Sequence, residues 1–171
     1  GRAKGAGDGG NEPVLTAAYR MLQQKFRHCQ LQAELYYAYG YIHQYVHEPF
    51  TPLQPDAVFN LARFLVSSLG RTTPFGISRM NILFALARQS KSLQAFKLAR
   101  FAFDKLQLLK IPAQWSDELD LSMIDIQSKP FKDRDDLLPV CYRCGAVNPL
   151  VNSSGDFCTN CGHQFVRSFL S

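Results

Sequence analysis

Two pairs of cysteines near the carboxyl end constrain the fold of this chain more than any other feature. Cys141 and Cys144 lie in the motif CYRCG, and Cys158 and Cys161 lie in the motif CTNCG. Cysteines three residues apart can present both sulfurs to one ion only if the backbone turns tightly, and the glycine after each pair permits the positive φ of such a turn. Four thiolates leave no coordination position for water. We therefore predict one structural zinc ion per chain, bound in a small zinc ribbon over residues 139–171.

Other interpretations of the cysteines and histidines are weaker. A redox dithiol would need one CxxC motif at the start of a helix in a βαβ unit. His163 could replace a cysteine as a ligand, but four thiolates already satisfy the ion. Cys29 stands alone in a helical pattern, and we expect it to be a small core residue rather than a nucleophile. The remaining histidines have no metal-like spacing and are interpreted as surface or capped residues: His28, His43 and His47.

The ribbon has few apolar residues from which to build a core. We expect a strand from Ala146 to Val151 and a return turn at residues 152–155. Zinc would stabilise this small fold, since apparent binding energies of about 10–16 kcal/mol in finger-type sites are largely folding energy. We expect the ribbon to cap the end of the helical stack, with some of its apolar side chains against the last helices or another subunit. They are Phe157, Phe165, Val166 and Phe169.

The residues before the ribbon follow a helical pattern, with apolar side chains three and four positions apart. Prolines and glycines interrupt this pattern. We predict six helices: a pair over 14–47, then single helices near 55–69, 77–89, 95–106 and 112–128.

An internal repeat indicates how the helices are arranged. The sequence LARF at 61–64 recurs at 98–101, a period of 37 residues, which is near the tetratricopeptide period of about 34. We therefore favour a mainly α fold of tetratricopeptide-like helical hairpins, an α-solenoid, over a closed helical bundle. The predicted organisation is a flexible tail at 1–13, helical hairpins at 14–128, a linker at 129–138 and the zinc ribbon at 139–171.

The charge distribution argues against nucleic-acid binding as the main role. Residues 55–111 hold nine basic and two acidic side chains, whereas residues 112–138 hold three basic and seven acidic ones. Opposed blocks of this kind indicate docking within the chain or between subunits. The ribbon carries only Arg143, Asp156 and Arg167 as formal charges, too few for a phosphate-binding surface. A zinc-ribbon nucleic-acid-binding protein is therefore the alternative, and not the preferred function.

Two further patterns bear on function. The five tyrosines between residues 36 and 45 could form a base-stacking platform, but at helical spacing we expect them to line the interface between hairpins. No catalytic set of side chains is found, so we expect no enzyme. No run of about 18 apolar residues is present, so we expect no direct insertion into a membrane.

Several segments, in the same order along the chain, resemble the carboxy-terminal region of the intraflagellar transport protein 122 family over residues 14–166. The segments are Asn60–Leu65, Thr73–Ser78, Leu98–Arg100, Lys129–Phe131, Leu138–Cys144 and Asn148–Leu150.

The resemblance implies a function. It implies a non-enzymatic scaffold subunit of intraflagellar transport complex A, acting in retrograde ciliary transport and in delivery of membrane proteins to cilia through protein–protein docking. The implied partners are other subunits of complex A, and the implied location is the cilium or flagellum and the basal body, on the cytoplasmic side. Members of the family carry β-propellers before the helical part and a further cysteine-rich segment after it. We therefore expect this chain to be an internal piece.

Overall fold

The structure is a computed structural model that describes residues 12–48, 50, 52–70, 72–152 and 155–165, with side chains from Leu15 onward. Within these residues the chain forms five α-helices followed by a short 3-10 helix. The helices are α1 (Glu12–His47), α2 (Pro55–Ser68), α3 (Arg79–Ser92), α4 (Phe96–Gln107) and α5 (Ala113–Gln127), and the 3-10 helix is Asp135–Leu137. The predicted mainly helical fold is confirmed. In the part of the chain that is described, no helix is both long and apolar enough to cross a lipid bilayer.

Helix α3 lies at the centre of the hydrophobic core. Residues 81–87 are all buried, which is unusual for a surface helix and follows from packing against α2 on one side and α4 on the other. Its amino terminus is capped by Ser78, whose hydroxyl accepts a hydrogen bond from the Asn81 N–H at 3.3 Å. The largest fully buried aliphatic side chains of the three helices are Leu65, Ile82, Leu86 and Leu106.

Helices α3, α4 and α5 alternate in direction. Three contacts join α3 to α5 in the same order along both helices: stacked rings of Phe84 and Trp115, and ion pairs of Arg88 with Glu118 and of Lys91 with Asp125. These two helices therefore run parallel. Contacts of α4 with α5 run in the opposite order, from Arg100 to Ile126 and from Gln107 to Met123. This up-down-up arrangement agrees with the predicted helical hairpins.

The ion pairs between α3 and α5 explain the opposed charge blocks. Arg88 Nε lies 3.0 Å from Glu118, and Lys91 Nζ lies 2.9 Å from Asp125. The hydrogen bond from Lys91 holds the pKa of the Asp125 carboxyl below its usual value. At this point the basic and acidic blocks dock within the chain. Exposed ion pairs of this kind add little stability. Their main effect is to favour α5 as the helix that lies beside α3.

The repeated LARF motif has a structural counterpart in its arginine. Arg100 of α4 donates hydrogen bonds to the carbonyls of Ile126, Lys129 and Pro130 at 2.6, 2.5 and 2.9 Å. The last carbonyls of a helix have no partner within the helix, so Arg100 satisfies the end of α5. Arg63, at the same position of the repeat in α2, is buried and donates to the carbonyl of Leu150 at 2.7 Å. Both arginines thus attach a later segment of the chain to the hairpins.

The predicted pair of helices before Pro49 was wrong. Residues 12–47 form one helix of 36 residues, α1, so the described residues contain five α-helices instead of six. Residues 23–30, which lie between the two apolar runs of this segment, are rich in glutamine, lysine and arginine, which favour helix nearly as well as leucine does. A weaker apolar pattern there therefore marks exposure and not a helix end. Residues 1–11 of the predicted tail lie outside the described residues.

The predicted burial of Cys29 was also wrong, because its side chain is exposed. The chain divides into two compact units, residues 1–36 and residues 37–171, and Cys29 belongs to the first. All side chains from Leu15 to Leu31 are exposed. Helical spacing showed that Cys29 belongs to a helix, but it could not show that this part of the helix has no core around it.

The tyrosines of α1 divide into two groups. Tyr39 accepts a hydrogen bond from Asn81 of α3 at 3.2 Å, and Tyr45 accepts one from Gln89 of α3 at 2.8 Å. The predicted role between helices is confirmed for these two. Tyr36 and Tyr37 are almost half exposed, and Tyr37 meets Tyr41 of the same helix. The three histidines interpreted as surface residues are exposed: His28, His43 and His47.

The fold predicts a large difference between two leucines. Leu65 is fully buried, whereas Leu22 is 66% exposed. Leu65→Ala should lower the free energy of unfolding by about 2–5 kcal/mol, because it leaves a cavity where α2 packs against α3. Leu22→Ala, the control, should change it by less than about 0.5 kcal/mol. Urea unfolding followed by circular dichroism measures both, and equal losses would contradict the assigned core.

Candidate metal centre

Each cysteine pair closes a tight turn of the backbone. The N–H of Gly145 donates to the carbonyl of Cys141 at 2.7 Å, and the N–H of Gly162 donates to the carbonyl of Cys158 at 2.9 Å. The two glycines have φ of +70° and +68°, which other residues rarely adopt. The role assigned to these glycines from the sequence is confirmed. We call the turn at 139–148 the first knuckle and the turn at 156–165 the second knuckle.

The two knuckles have the same hydrogen-bond pattern. In the first, the N–H of Cys141 donates to Ala146 and the N–H of Asn148 donates to Pro139, at 2.9 and 2.8 Å. In the second, Cys158 donates to His163 and Phe165 donates to Asp156, at 2.8 and 3.1 Å. Each bond of the second knuckle lies 17 positions after its equivalent in the first. The ribbon is therefore two copies of one local structure facing each other.

The strand expected from Ala146 to Val151 is not formed. The described part of the ribbon has only two isolated antiparallel bridges, Val140 with Val147 and Phe157 with Gln164. A longer ladder is prevented because Pro149 has no N–H to donate and because the knuckle turns the chain away. The knuckles, and not a sheet, hold the ribbon in shape.

The four predicted ligands lie together. Their sulfur atoms are all within 4.8 Å of one another, with 3.7 Å between Cys141 and Cys161 and 3.6 Å between Cys144 and Cys158. A tetrahedral zinc site with Zn–S bonds of about 2.3 Å has sulfurs about 3.8 Å apart. A disulfide would bring two sulfurs to about 2.0 Å, and all four thiols are free. The geometry fits one metal ion held by four cysteines.

Backbone and side-chain hydrogen bonds favour the thiolate form of two ligands. The N–H of Cys161 and then that of Asn160 lower the pKa of Cys158 to about 6. The N–H of Ala146 and the side chain of Asn160 lower the pKa of Cys144. Because the thiolate is the form that binds metal, these donors prepare the site for a cation.

Cys161 shows the opposite tendency. The N–H of His163 lowers the pKa of Cys161. Desolvation and the three neighbouring thiols together have the larger, opposite effect and raise this pKa to about 11. Four thiolates at this distance repel one another, so not all can lose their protons while the site holds only sulfur. A bound divalent cation removes this repulsion. The electrostatics of the cluster therefore also fit a metal ion.

Asn148 connects the two knuckles, a role that was missed from the sequence. Its side chain is 3% exposed. Its Oδ1 accepts hydrogen bonds from the N–H and the hydroxyl of Thr159 at 2.8 and 3.0 Å, and its Nδ2 donates to the carbonyl of Ala146 at 2.8 Å. Asn148 and Thr159 are 11 positions apart, so no local spacing could predict the pair. Metal and Asn148 would together hold the knuckles against each other.

His163 does not join the sulfur cluster. Its Nε2 is hydrogen-bonded to the hydroxyl of Tyr142, and the two rings meet edge to face with centroids 4.8 Å apart. Among the described residues, the group that could hold a metal contains only the four cysteines. Neither CxxC motif begins a helix, as a redox dithiol would require.

The ribbon contacts α2 and faces α4 across a groove, and both helices precede the last helix. Arg63 of α2 bonds to the Leu150 carbonyl, and a groove of ≈ 650 Å³ lies between α4 and the segment 147–151. Leu150 itself is buried. Of the apolar residues expected to dock, Phe157 and Phe165 are half-buried, and Val166 and Phe169 lie outside the described residues.

Comparison with known proteins finds relatives for both the zinc ribbon and the helical part of the chain. Residues 134–171 match the family model described as "IFT122, zinc ribbon domain". Proteins named intraflagellar transport protein 122 homolog are similar over most of the chain: 48% identical over 145 residues in Danio rerio, 50% over 144 in Mus musculus and 48% over 144 in Homo sapiens. These alignments cover 84–85% of this chain. The chain spans only 12% of the length of these relatives.

The site predicts the metal content of the purified protein. Elemental analysis of protein prepared without chelator should find one zinc per chain. Cys144→Ser should abolish this zinc and unfold the ribbon, because the ribbon has little apolar core of its own. The helical circular dichroism signal should remain, since the core around α3 is separate.

Cys29→Ser is the matched control, because it makes the same chemical change at an exposed cysteine outside the cluster. It should keep one zinc per chain. Zinc retained by Cys144→Ser, or lost from Cys29→Ser, would refute the assignment of the ligands.

Proposed function

We propose that this chain, which corresponds to the carboxy-terminal region of intraflagellar transport protein 122 homologues, is a non-enzymatic scaffold that binds other subunits of intraflagellar transport complex A. It would act in retrograde ciliary transport and in delivery of membrane proteins to cilia. Its place would be the cilium or flagellum and the basal body, on the cytoplasmic side. The proposed domains are helical hairpins at 14–128, a linker at 129–138 and the zinc ribbon at 139–171.

The observation that carries a docking role is an exposed apolar seam on α1. Leu15, Tyr19, Leu22 and Phe26 are each 66–69% exposed. Their spacing of four, three and four residues places them in one row along the helix, as in the contact seam of a coiled coil. Large apolar side chains exposed in a contiguous row mark sites of protein interaction. We call these four residues the α1 seam.

The charges beside the α1 seam favour an acidic partner helix over a second copy of this chain. Arg20, Lys25 and Arg27 lie in the same turns as the seam, and Glu34 is the nearest acid beyond them among the described side chains. Two copies paired through this segment would bring basic residues close together. A helix of another complex A subunit, with an apolar seam and acidic flanks, would instead gain both apolar burial and favourable electrostatics.

The metal centre would have a structural role in this scaffold. Cys141, Cys144, Cys158 and Cys161 would hold the zinc ion with closed coordination, which leaves no position for a substrate or a reactive water. When bound, the ion supplies folding energy to the ribbon. The chain's own contribution is to orient the sulfurs through the knuckles and to shield Cys141 and Cys158, which are buried.

The alternative of nucleic-acid binding has less support. Two of the formal charges in the ribbon lie among the described residues, Arg143 and Asp156, and together they sum to zero. A salt titration of binding to RNA and to single- and double-stranded DNA should show no tight, steeply salt-dependent complex. Such a complex would favour the alternative.

The α1 seam provides the test of the scaffold function. The double variant Leu22→Gln with Phe26→Gln should weaken co-purification with complex A subunits about tenfold or more, because buried apolar anchors dominate binding energy. Met21→Gln is the control, since Met21 is also exposed but lies off the seam. Zinc content and helical signal should not change in either variant.

A second variant tests the charge of the partner. Lys25→Glu should weaken the same binding, and added salt should reduce the difference from the unmodified chain. If the seam variant and the Met21 control bind complex A subunits equally well, the proposed docking surface is incorrect.

A further inference from the structure

A buried arginine joins the helices to the ribbon. Arg63 is 5% exposed, and its Nε donates to the carbonyl of Leu150, 87 positions later, at 2.7 Å. Its Nη1 donates to Asn60 Oδ1 at 3.1 Å, and the guanidinium lies over the ring of Phe59, 5.4 Å from the centroid. The contacts with Asn60 and Phe59, which both belong to α2, orient the guanidinium independently of the ribbon. Arg63 is thus a preorganised donor aimed at one point of the ribbon.

The position of that point depends on the knuckles. Leu150 follows the first knuckle and lies two residues after Asn148, whose side chain bonds across to Thr159 of the second knuckle. The Leu150 side chain is also buried. The position of the Leu150 carbonyl is therefore tied to the closure of the two knuckles on each other. The sulfur cluster and the hydrogen bonds of Asn148 with Thr159 both join the two knuckles.

We propose that Arg63 is a positioning residue that couples metal binding in the ribbon to docking of the ribbon on α2. Metal closes the knuckles, which places the Leu150 carbonyl against Arg63. By thermodynamic reciprocity, the Arg63 hydrogen bond must then raise the metal affinity of the four cysteines. This inference rests on the metal centre and not on the proposed complex A partners.

Arg100 supplies a matched comparison within the same chain. It occupies the equivalent position of the repeat, and it also donates to backbone carbonyls. Its acceptors are at the end of α5 and in the segment after it, not in the knuckles. A change at Arg100 should thus disturb a helix end without changing the affinity for metal.

The test measures zinc affinity by competition with a chromophoric chelator, using the whole chain. Arg63→Gln should weaken zinc binding about fivefold or more, the lower range of measured couplings between sites. Arg100→Gln should bind zinc as the unmodified chain does. Arg63→Lys keeps the charge but not the planar Nε–H geometry, and it should give an intermediate affinity.

A second measurement separates coupling from general loss of stability. Amide hydrogen exchange in α2 should slow when zinc is added to the unmodified chain, because the docked ribbon covers it. This zinc-dependent protection should be lost in Arg63→Gln and kept in Arg100→Gln. Arg63→Lys serves both measurements if Arg63→Gln does not fold.

Equal zinc affinities for the Arg63 and Arg100 variants would overturn the coupling. So would α2 protection by zinc that persists in the Arg63 variants. An unmodified chain that binds no zinc would overturn the metal centre and the coupling with it, but it would leave the α1 seam and its partners unaffected.

Discussion

The hydrogen bond from Arg63 to the Leu150 carbonyl ties the ribbon to helix α2. It joins two structures that are built on different principles, a helical core held by apolar packing and a ribbon shaped around four sulfurs. Arg100 does the same for the end of α5. The LARF repeat therefore places one arginine on α2 and one on α4, and each donates to carbonyls of a later segment.

The helical core and the ribbon are stabilised by different interactions. Helix α3 has neighbours on both sides, so its buried side chains form a core that needs no ion. The ribbon has two isolated bridges, two knuckles and the Asn148 crosslink. Four sulfurs less than 5 Å apart cannot all be thiolates without a cation among them. A bound metal ion would both remove the repulsion among the thiolates and stabilise the small core.

Helix α1 gives the opposite case, an element with apolar residues but few buried contacts in its first half. Leu15, Tyr19, Leu22 and Phe26 share a row and are exposed. A helix of this length keeps its shape through local hydrogen bonds, while its apolar seam gains free energy only from a neighbour. In the proposed scaffold this separation would be useful, because the α1 seam would be formed before a partner binds.

Spacing and periodicity by themselves predicted the cluster of four cysteines, the knuckle glycines and the helices of residues 55–128, because each depends on residues within a few positions of one another. They did not determine the single helix α1, the exposure of Cys29 or the missing strand at 146–151. Only the tertiary structure decided that Asn148 bonds to Thr159 and that Arg63 bonds to Leu150, 87 positions away. Such pairs form when separate elements pack, and local sequence carries no record of which distant carbonyl a side chain will meet.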